Sequence, residues 1–430
     1  MGLARYLDKK QDGKRIAKAE EILYLCYLAV IVLYQYLFST MFQISWPTHW
    51  DLMLRLLGYG LVFFKILMDD RWDWGEIAFA VLIVAGFYGS WKTEHSLDLI
   101  YGLILILGAK NISFDTIAKV YLAVQVPAIL VTVYCSLHGY IAYLTYDYGN
   151  GRIAHAFGSI YRTDFCAHLF FLACCIIWNS RKKIWYAEGI FVLWLAWFAD
   201  RYCAARNSTI CLLLLGCGAL AIQGARDIRS WLQKCRKTGR NKKAASWGRG
   251  VLFCACFSTP VFAAASVLVS RFYHADVTWM VKLDSVLSGR LSLGKEGFNR
   301  YNVKLFGQYV QQIGAGGQTD SGQTYFFLDV SYVNMLLRLG IVLFAAVVLI
   351  YFFSSLKAWK SRDYVCIFIL FLAALHCCVE HHMAELSYDM FLLLPFAENG
   401  WEKTGLFIGS RRSGKKSSFT HTKVSGIKGD

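Results

Sequence analysis

Residues 22–41 read ILYLCYLAVIVLYQYLFSTM, twenty positions without an Asp, Glu, Lys or Arg. A helical run of that length matches the apolar thickness of a bilayer, where about 20 residues are needed and lipid offers no partner to a backbone amide. Eleven further runs follow the same pattern, at 52–68, 76–90, 97–110, 117–137, 164–179, 184–199, 207–223, 250–270, 329–354, 364–382 and 385–400. The expected fold is therefore an all-α polytopic membrane protein with about twelve transmembrane helices.

Composition agrees. The 430 residues are 57% hydrophobic and only 17% charged, with four prolines; a soluble domain carries about a quarter charged residues. Disorder, a collagen-like or coiled-coil fibre and a disulfide scaffold are excluded by the same figures. The 14 cysteines fall mostly inside apolar runs and residues 271–327 have none, so no disulfide framework is implied. Residues 1–21 are polar and basic without a cleavable signal, which makes 22–41 a retained anchor.

The excess of 45 basic over 29 acidic residues would suggest nucleic acid in a soluble domain. Here it follows the positive-inside rule, and no nucleic-acid partner is expected. With twelve spans, 32 Lys and Arg fall in inner segments and 11 in outer ones. Dropping span 97–110 or 385–400 puts basic clusters outside. The predicted map is a cytoplasmic basic segment 1–21 and nine spans within 22–270, including an inner basic loop at 224–249. An extracytoplasmic loop 271–328, three spans within 329–400 and a cytoplasmic basic tail 401–430 follow. The inner loop reads as a solvated face against anionic headgroups.

The outer loop differs in character. Leu283, Val286, Leu287 and Leu291, then Leu305, Phe306, Tyr309 and Val310, recur at amphipathic helical spacing. Such a loop should pack over the outer ends of the spans as a partly helical cap. Outer segments should be poor in arginine, yet Arg152, Arg162, Arg201, Arg206, Arg271, Arg290 and Arg300 all map there. A planar guanidinium grips phosphate bidentately. Arg152, Arg206 and Arg290 are expected to converge beneath the cap on one anionic headgroup.

Other residues carry two readings each. Asp164 sits at an N-cap position before a run bearing His168, and capping or catalysis would each explain it. Arg206 opens a span beside Asn207, Ser208 and Thr209, as a headgroup ligand or a snorkelling side chain. Arg338 lies about two turns into its span, so it should face protein or water. His376, Glu380, His381, His382 and Glu385 lack the spacing of a metal motif, and no metal is expected. They should line the outer water interface, with Glu380 or Glu385 available to pair an arginine. No phosphate-binding Gly-Lys-Ser/Thr loop and no Gly-x-Ser-x-Gly elbow occurs.

The late outer loop and outer arginines resemble the Wzy-type polysaccharide polymerases and the related O-antigen ligases. The words that carry the likeness are Arg152…His155-Ala156-Phe157-Gly158, Ala205-Arg206-Asn207-Ser208, Ser288-Gly289-Arg290-Leu291, Leu305-Phe306-Gly307, and Asp329-Val330-Ser331-Tyr332 followed by Gly340. The resemblance implies transfer of a growing glycan from undecaprenyl diphosphate to the next lipid-linked repeat unit. The transfer would occur on the outer face of the cell membrane, with inversion and with neither metal nor cofactor. It implies Arg152, Arg162, Arg206, Arg290, Arg300 and Tyr332 as ligands of diphosphate and glycan. His274, Asp329 and His155 are then the candidates for taking the acceptor hydroxyl proton. A chain-length regulator and a flippase are the implied protein partners. A ligase, or a lipid-linked oligosaccharide flippase or other transporter, is the competing reading.

Overall fold

The computed structural model describes residues 2–47, 49–68, 72–147, 151–235, 250–314 and 325–399, with side chains from residue 18 to residue 232 and beyond 250. Tail 401–430, residues 236–249 of the inner loop and the glycine-rich run 315–324 lie outside the described residues.

The chain is mostly helical. In order come α1 (Gly2–Phe38), α2 (Trp50–Met68), α3 (Trp74–Glu94), α4 (Leu97–Gly108), α5 (Phe114–Leu137), α6 (Arg162–Asn179), α7 (Tyr186–Phe198) and α8 (Arg206–Cys235). The cap segment contributes α10 (Thr278–Val286) and α11 (Arg290–Arg300) after α9 (Ser258–Arg271), and α12 (Ser331–Asn334), α13 (Ile341–Ser361) and α14 (Tyr364–His376) complete the order. Among the described residues the strands form one small hairpin, β1 (Thr145–Asp147) against β2 (Ile153–His155), with Thr145 opposite His155.

Five helical stretches are long and apolar enough to cross a membrane: Lys18–Phe38, Trp74–Glu94, Phe114–Leu137, Arg206–Leu232 and Ile341–Ser361. α4 and α14 are apolar but shorter. Large side chains that water would reject face outward, among them Leu57, Phe63 and Leu67 of α2 and Ile190, Trp194 and Trp197 of α7. Lipid is the solvent that fits such a surface.

Several expected spans are not continuous helices, for identifiable reasons. Run 250–270 breaks at Cys256–Phe257, just before Ser258-Thr259-Pro260. Pro260 has no amide hydrogen and crowds the carbonyl four residues back. Run 329–354 breaks at Gly340, where φ is 91°. Run 385–400 is not an α-helix; a 3₁₀ turn at His382–Ala384 precedes it and another lies within it at Met390–Leu393. Even so it crosses the bundle. Its start neighbours the ends of α6 and α14, and Glu398 pairs with Ile112 and Phe114 at the other end through backbone bonds of 2.8 and 2.7 Å.

Contacts sort the connections to two ends. At one end Met41 donates to the Gly158 carbonyl and Ile160 to that of Ser39; Thr93 Oγ1 donates to the Phe306 carbonyl, and Asn207 Nδ2 to that of His376. The segment 271–314 lies at this end. At the opposite end Lys110 pairs with Glu76, Arg181 with Asp115 and Asp363, and Tyr186 with Asp227 of α8.

The break at Gly340 is where the cap docks. Ile341 and Val342, whose amides have no helical partner at the start of α13, donate to Lys304 and Leu305 carbonyls at 3.0 and 3.1 Å. Gln308 returns a bond to the Arg338 carbonyl at 2.9 Å. The two backbones touch because Gly307 (φ 80°) and Gly340 (φ 91°) face each other. A Cβ on Gly307 would overlap the Arg338 carbonyl, and one on Gly340 would overlap the Gly307 nitrogen. Gly307→Ala combines an unfavourable left-handed φ with overpacking, so it should cost about 2–4 kcal/mol. Thermal unfolding in detergent should show it, whereas Gly60→Ala, at a glycine with open space around it, should leave the midpoint nearly unchanged.

Candidate functional site

The site is built around the turn that follows α14, residues 377–385, beyond the end of that helix. α11 begins there because Asp284 accepts from the Leu291 and Ser292 amides at 2.8 and 3.1 Å. A carboxylate in that position satisfies orphan donors and meets the positive end of the helix dipole. Ser288 and Gly289, both at positive φ, turn the chain so that Arg290 points inward. Its Nε donates to the Val379 carbonyl at 2.6 Å and its Nη1 to that of Leu287 at 3.2 Å. Its Nη2 lies 3.5 Å from Glu380 and 3.7 Å from Asp329. One cation therefore holds the cap, the turn and the segment before α12. Two carboxylates therefore share one guanidinium.

Beside this pair lies a second group. His382, fully buried, has Nδ1 at 3.0 Å from Glu385 and Nε2 at 3.6 Å from Asp164. The ring of Tyr388 is sandwiched between His382 and His168, with centroids 3.8 Å away on each side, and His168 Nε2 meets Ser39 Oγ at 3.1 Å. His381 stands 4.1 Å from His382.

A cavity of about 50 Å³ opens against this group, lined among others by Asp98, Asn334, Arg338, His381 and Glu385. Arg338, expected to face protein or water, reaches this cavity and pairs with Glu94. Ligand atoms of His381, His382 and Glu385 lie within 4.8 Å of one another. His382 has a carboxylate opposite each ring nitrogen, Glu385 and Asp164, so these groups form an ion-paired network.

The expected site residues are distributed as follows. Arg290 and Asp329 come together. Arg152 pairs with Asp200, and Arg162 donates to the Cys203 and Ala204 carbonyls at 2.8 and 2.7 Å. Both brace the π-helical turn Ala199–Cys203 that leads into Arg206, which is exposed at the start of α8. Asn207 and Ser208 do not accompany Arg206 outward; they bond to His376. Arg300 pairs with Glu296 one turn back and lies over the Phe326 ring. Tyr332 is fully buried, its hydroxyl donating to the Ala374 carbonyl at 2.9 Å. His155 meets the Tyr143 hydroxyl at 2.8 Å, and His274 is exposed, its amide on the Met280 sulfur. Neither histidine contacts the Arg290 group among the described residues. Asp164 is inside the first turn of α6, with Tyr161 at the N-cap, and its partner is His382. The cavity against the turn is lined by Arg338, not by Arg152, Arg206 or Arg290. His168 and Tyr388 were missed as partners of this group; an ionisable side chain inside an apolar run was the available signal.

His382 stands between Glu385 and Asp164, so His382→Ala leaves two carboxylates without their shared partner. Breaking a buried pair in this way should cost about 3 kcal/mol or more, which thermal unfolding in detergent will show as a lower midpoint. No known protein family, curated protein or solved structure matches this chain, so the site's own chemistry is the guide to what it does.

Proposed function

We propose that this chain is a membrane polysaccharide polymerase, transferring a growing glycan from undecaprenyl diphosphate to the next lipid-linked repeat unit. In this reading the chain crosses the cell membrane twelve times, counting the broken and non-helical passages. Residues 1–21 and 401–430 are cytoplasmic, and the cap end faces outward. The observation that carries the reading is the gathering of Arg290, Arg338, Asp329, Glu380, His381 and Glu385 at the one end covered by the segment 271–314. Bundles that transport tend to place charge near the midplane of repeated halves; here the cluster around Arg290 and Arg338 sits at the capped end.

The roles follow from charge and access. Arg206 is exposed beside the turn that Arg152 and Arg162 brace, and it serves as a ligand of the diphosphate. Arg290 balances the carboxylates and aligns the turn. Asp329 or Glu380, the carboxylates held beside Arg290, takes the proton from the acceptor hydroxyl. As the leaving diphosphate gains charge, guanidinium groups already in place stabilise it without reorganising. Neither metal nor cofactor enters this scheme. A chain-length regulator and a flippase would be its partners in the membrane.

Deletion of the gene followed by glycan sizing tests the assignment. Single repeats on lipid, with no surface polymer, are expected; long polymer lacking its final acceptor would indicate a ligase instead. In the complemented strain, Arg206→Ala should reduce elongation by about 100-fold, a loss typical of a transition-state donor. Membrane level should stay normal, and Arg206→Lys should recover little, because a point charge lacks the bidentate fork. Full-length polymer from Arg206→Ala would remove Arg206 from the site.

A further inference from the structure

A cavity of about 490 Å³ lies at the opposite end of the bundle, among the ends of α5, α6, α13 and α14 and the side of α8. Its floor is Arg181, whose side chain is only 8% exposed. The guanidinium bonds Asp115 at 2.6 Å and Asp363 at 3.1 Å and stacks 4.2 Å over Trp178. Both carboxylates also stand at helix starts. Asp115 is in the first turn of α5, and Asp363 caps α14 by accepting from the Cys366 amide at 3.2 Å. Their charge is thereby matched by one guanidinium and two helix dipoles.

The rim is different. Lys182 and Arg362 are exposed and Arg226 is half-buried, with its Nη1 on the Lys182 carbonyl at 3.4 Å. Against these three cations the lining sets one further carboxylate, Glu398. The depth of the cavity is marked by Trp185 and Tyr186 at the start of α7, which are 62% and 48% exposed. Tyr186 bonds Asp227, the neighbour of Arg226. Exposed Trp and Tyr at a helix end mark the headgroup layer of a bilayer. The cavity thus opens at the level where lipid phosphates lie, with arginines that can grip phosphate bidentately. Its volume suits a headgroup-sized ligand.

We propose that this cavity binds a phosphate-bearing anion, supplied either by an anionic phospholipid headgroup or by a soluble phosphate compound. The site is independent of the chemistry at the capped end. Arg181 is a poor choice for mutation, because its loss would leave two carboxylates facing each other. Arg226→Gln with Arg362→Gln removes rim charge and leaves the floor intact.

Native mass spectrometry of the full chain tests the proposal, with phosphatidylglycerol and phosphatidylcholine as paired lipid probes. In a second arm, thermal unfolding is followed in detergent with inorganic phosphate or ATP. A lipid source predicts retention of phosphatidylglycerol over phosphatidylcholine by about tenfold or more, falling to near parity in the double variant. A soluble source predicts instead a rise in midpoint with phosphate or ATP that the double variant loses. The unliganded midpoint of the variant checks that it folds. If neither arm distinguishes the double variant from the native chain, the cavity is not an anion site.

Discussion

In lipid, a backbone amide or carbonyl that leaves a helix has no solvent to turn to. This constraint governs the way residues 377–399 pass through the bundle without forming an α-helix. Side chains and backbone from neighbouring elements supply the missing partners. The Tyr121 hydroxyl donates to the Ser387 and Tyr388 carbonyls, both at 3.0 Å, and Gln125 Nε2 donates to Ser387 at 2.8 Å. Lys357 reaches the Pro395 carbonyl at 3.1 Å, and the backbone of Glu398 closes the passage against Ile112 and Phe114. The docking of Lys304 to Gln308 on the broken start of α13 is the same solution at the other end of the bundle.

Non-helical backbone also places the chemistry. A continued α14 would carry His381, His382 and Glu385 along its axis at 1.5 Å per residue. The turn instead lets His382 meet Asp164 of α6 while Tyr388 slides between two imidazoles. Burying so many ionisable groups is costly unless each charge is answered. Here Arg290 answers Glu380 and Asp329, Glu385 and Asp164 answer His382, and Glu94 answers Arg338. Groups arranged to balance one another are sensitive to a newcomer.

The long apolar runs were legible because hydropathy alone reports them, and α3, α5, α8 and α13 fall where those runs lie. The amphipathic spacing around Leu283 and Leu287 likewise foretold helix in the cap segment, whereas Leu305, Phe306, Tyr309 and Val310 share that spacing and are not helical, because their backbone pairs with the restart of α13 instead. The pairing of an arginine with Glu380 was readable from residue type and place in the chain. What stayed hidden depended on tertiary partners. Gly340 looked like an ordinary glycine within a span, and only its contact with Gly307 shows why the helix restarts there. The run 385–400 is apolar enough for a helix, yet Tyr121 and Gln125 offer its carbonyls better partners. Tyr332 and Arg300 shared residue type and position with possible ligands, but the first is spent on packing and the second on its own helix. His155 and His274 could not be separated from a base by sequence, since that distinction lies in what stands opposite them.

All of this requires that the cap and the basic end of α8 lie on opposite faces of the membrane. Labelling of Asp276→Cys and Arg229→Cys with a membrane-impermeant thiol reagent measures that directly, with the native chain as control. Both positions are exposed, one before α10 and the other on the far part of α8. In intact cells Asp276→Cys should react, and Arg229→Cys should react only after the membrane is permeabilised. Labelling of both in intact cells, or of neither until permeabilisation, would contradict the two-ended arrangement.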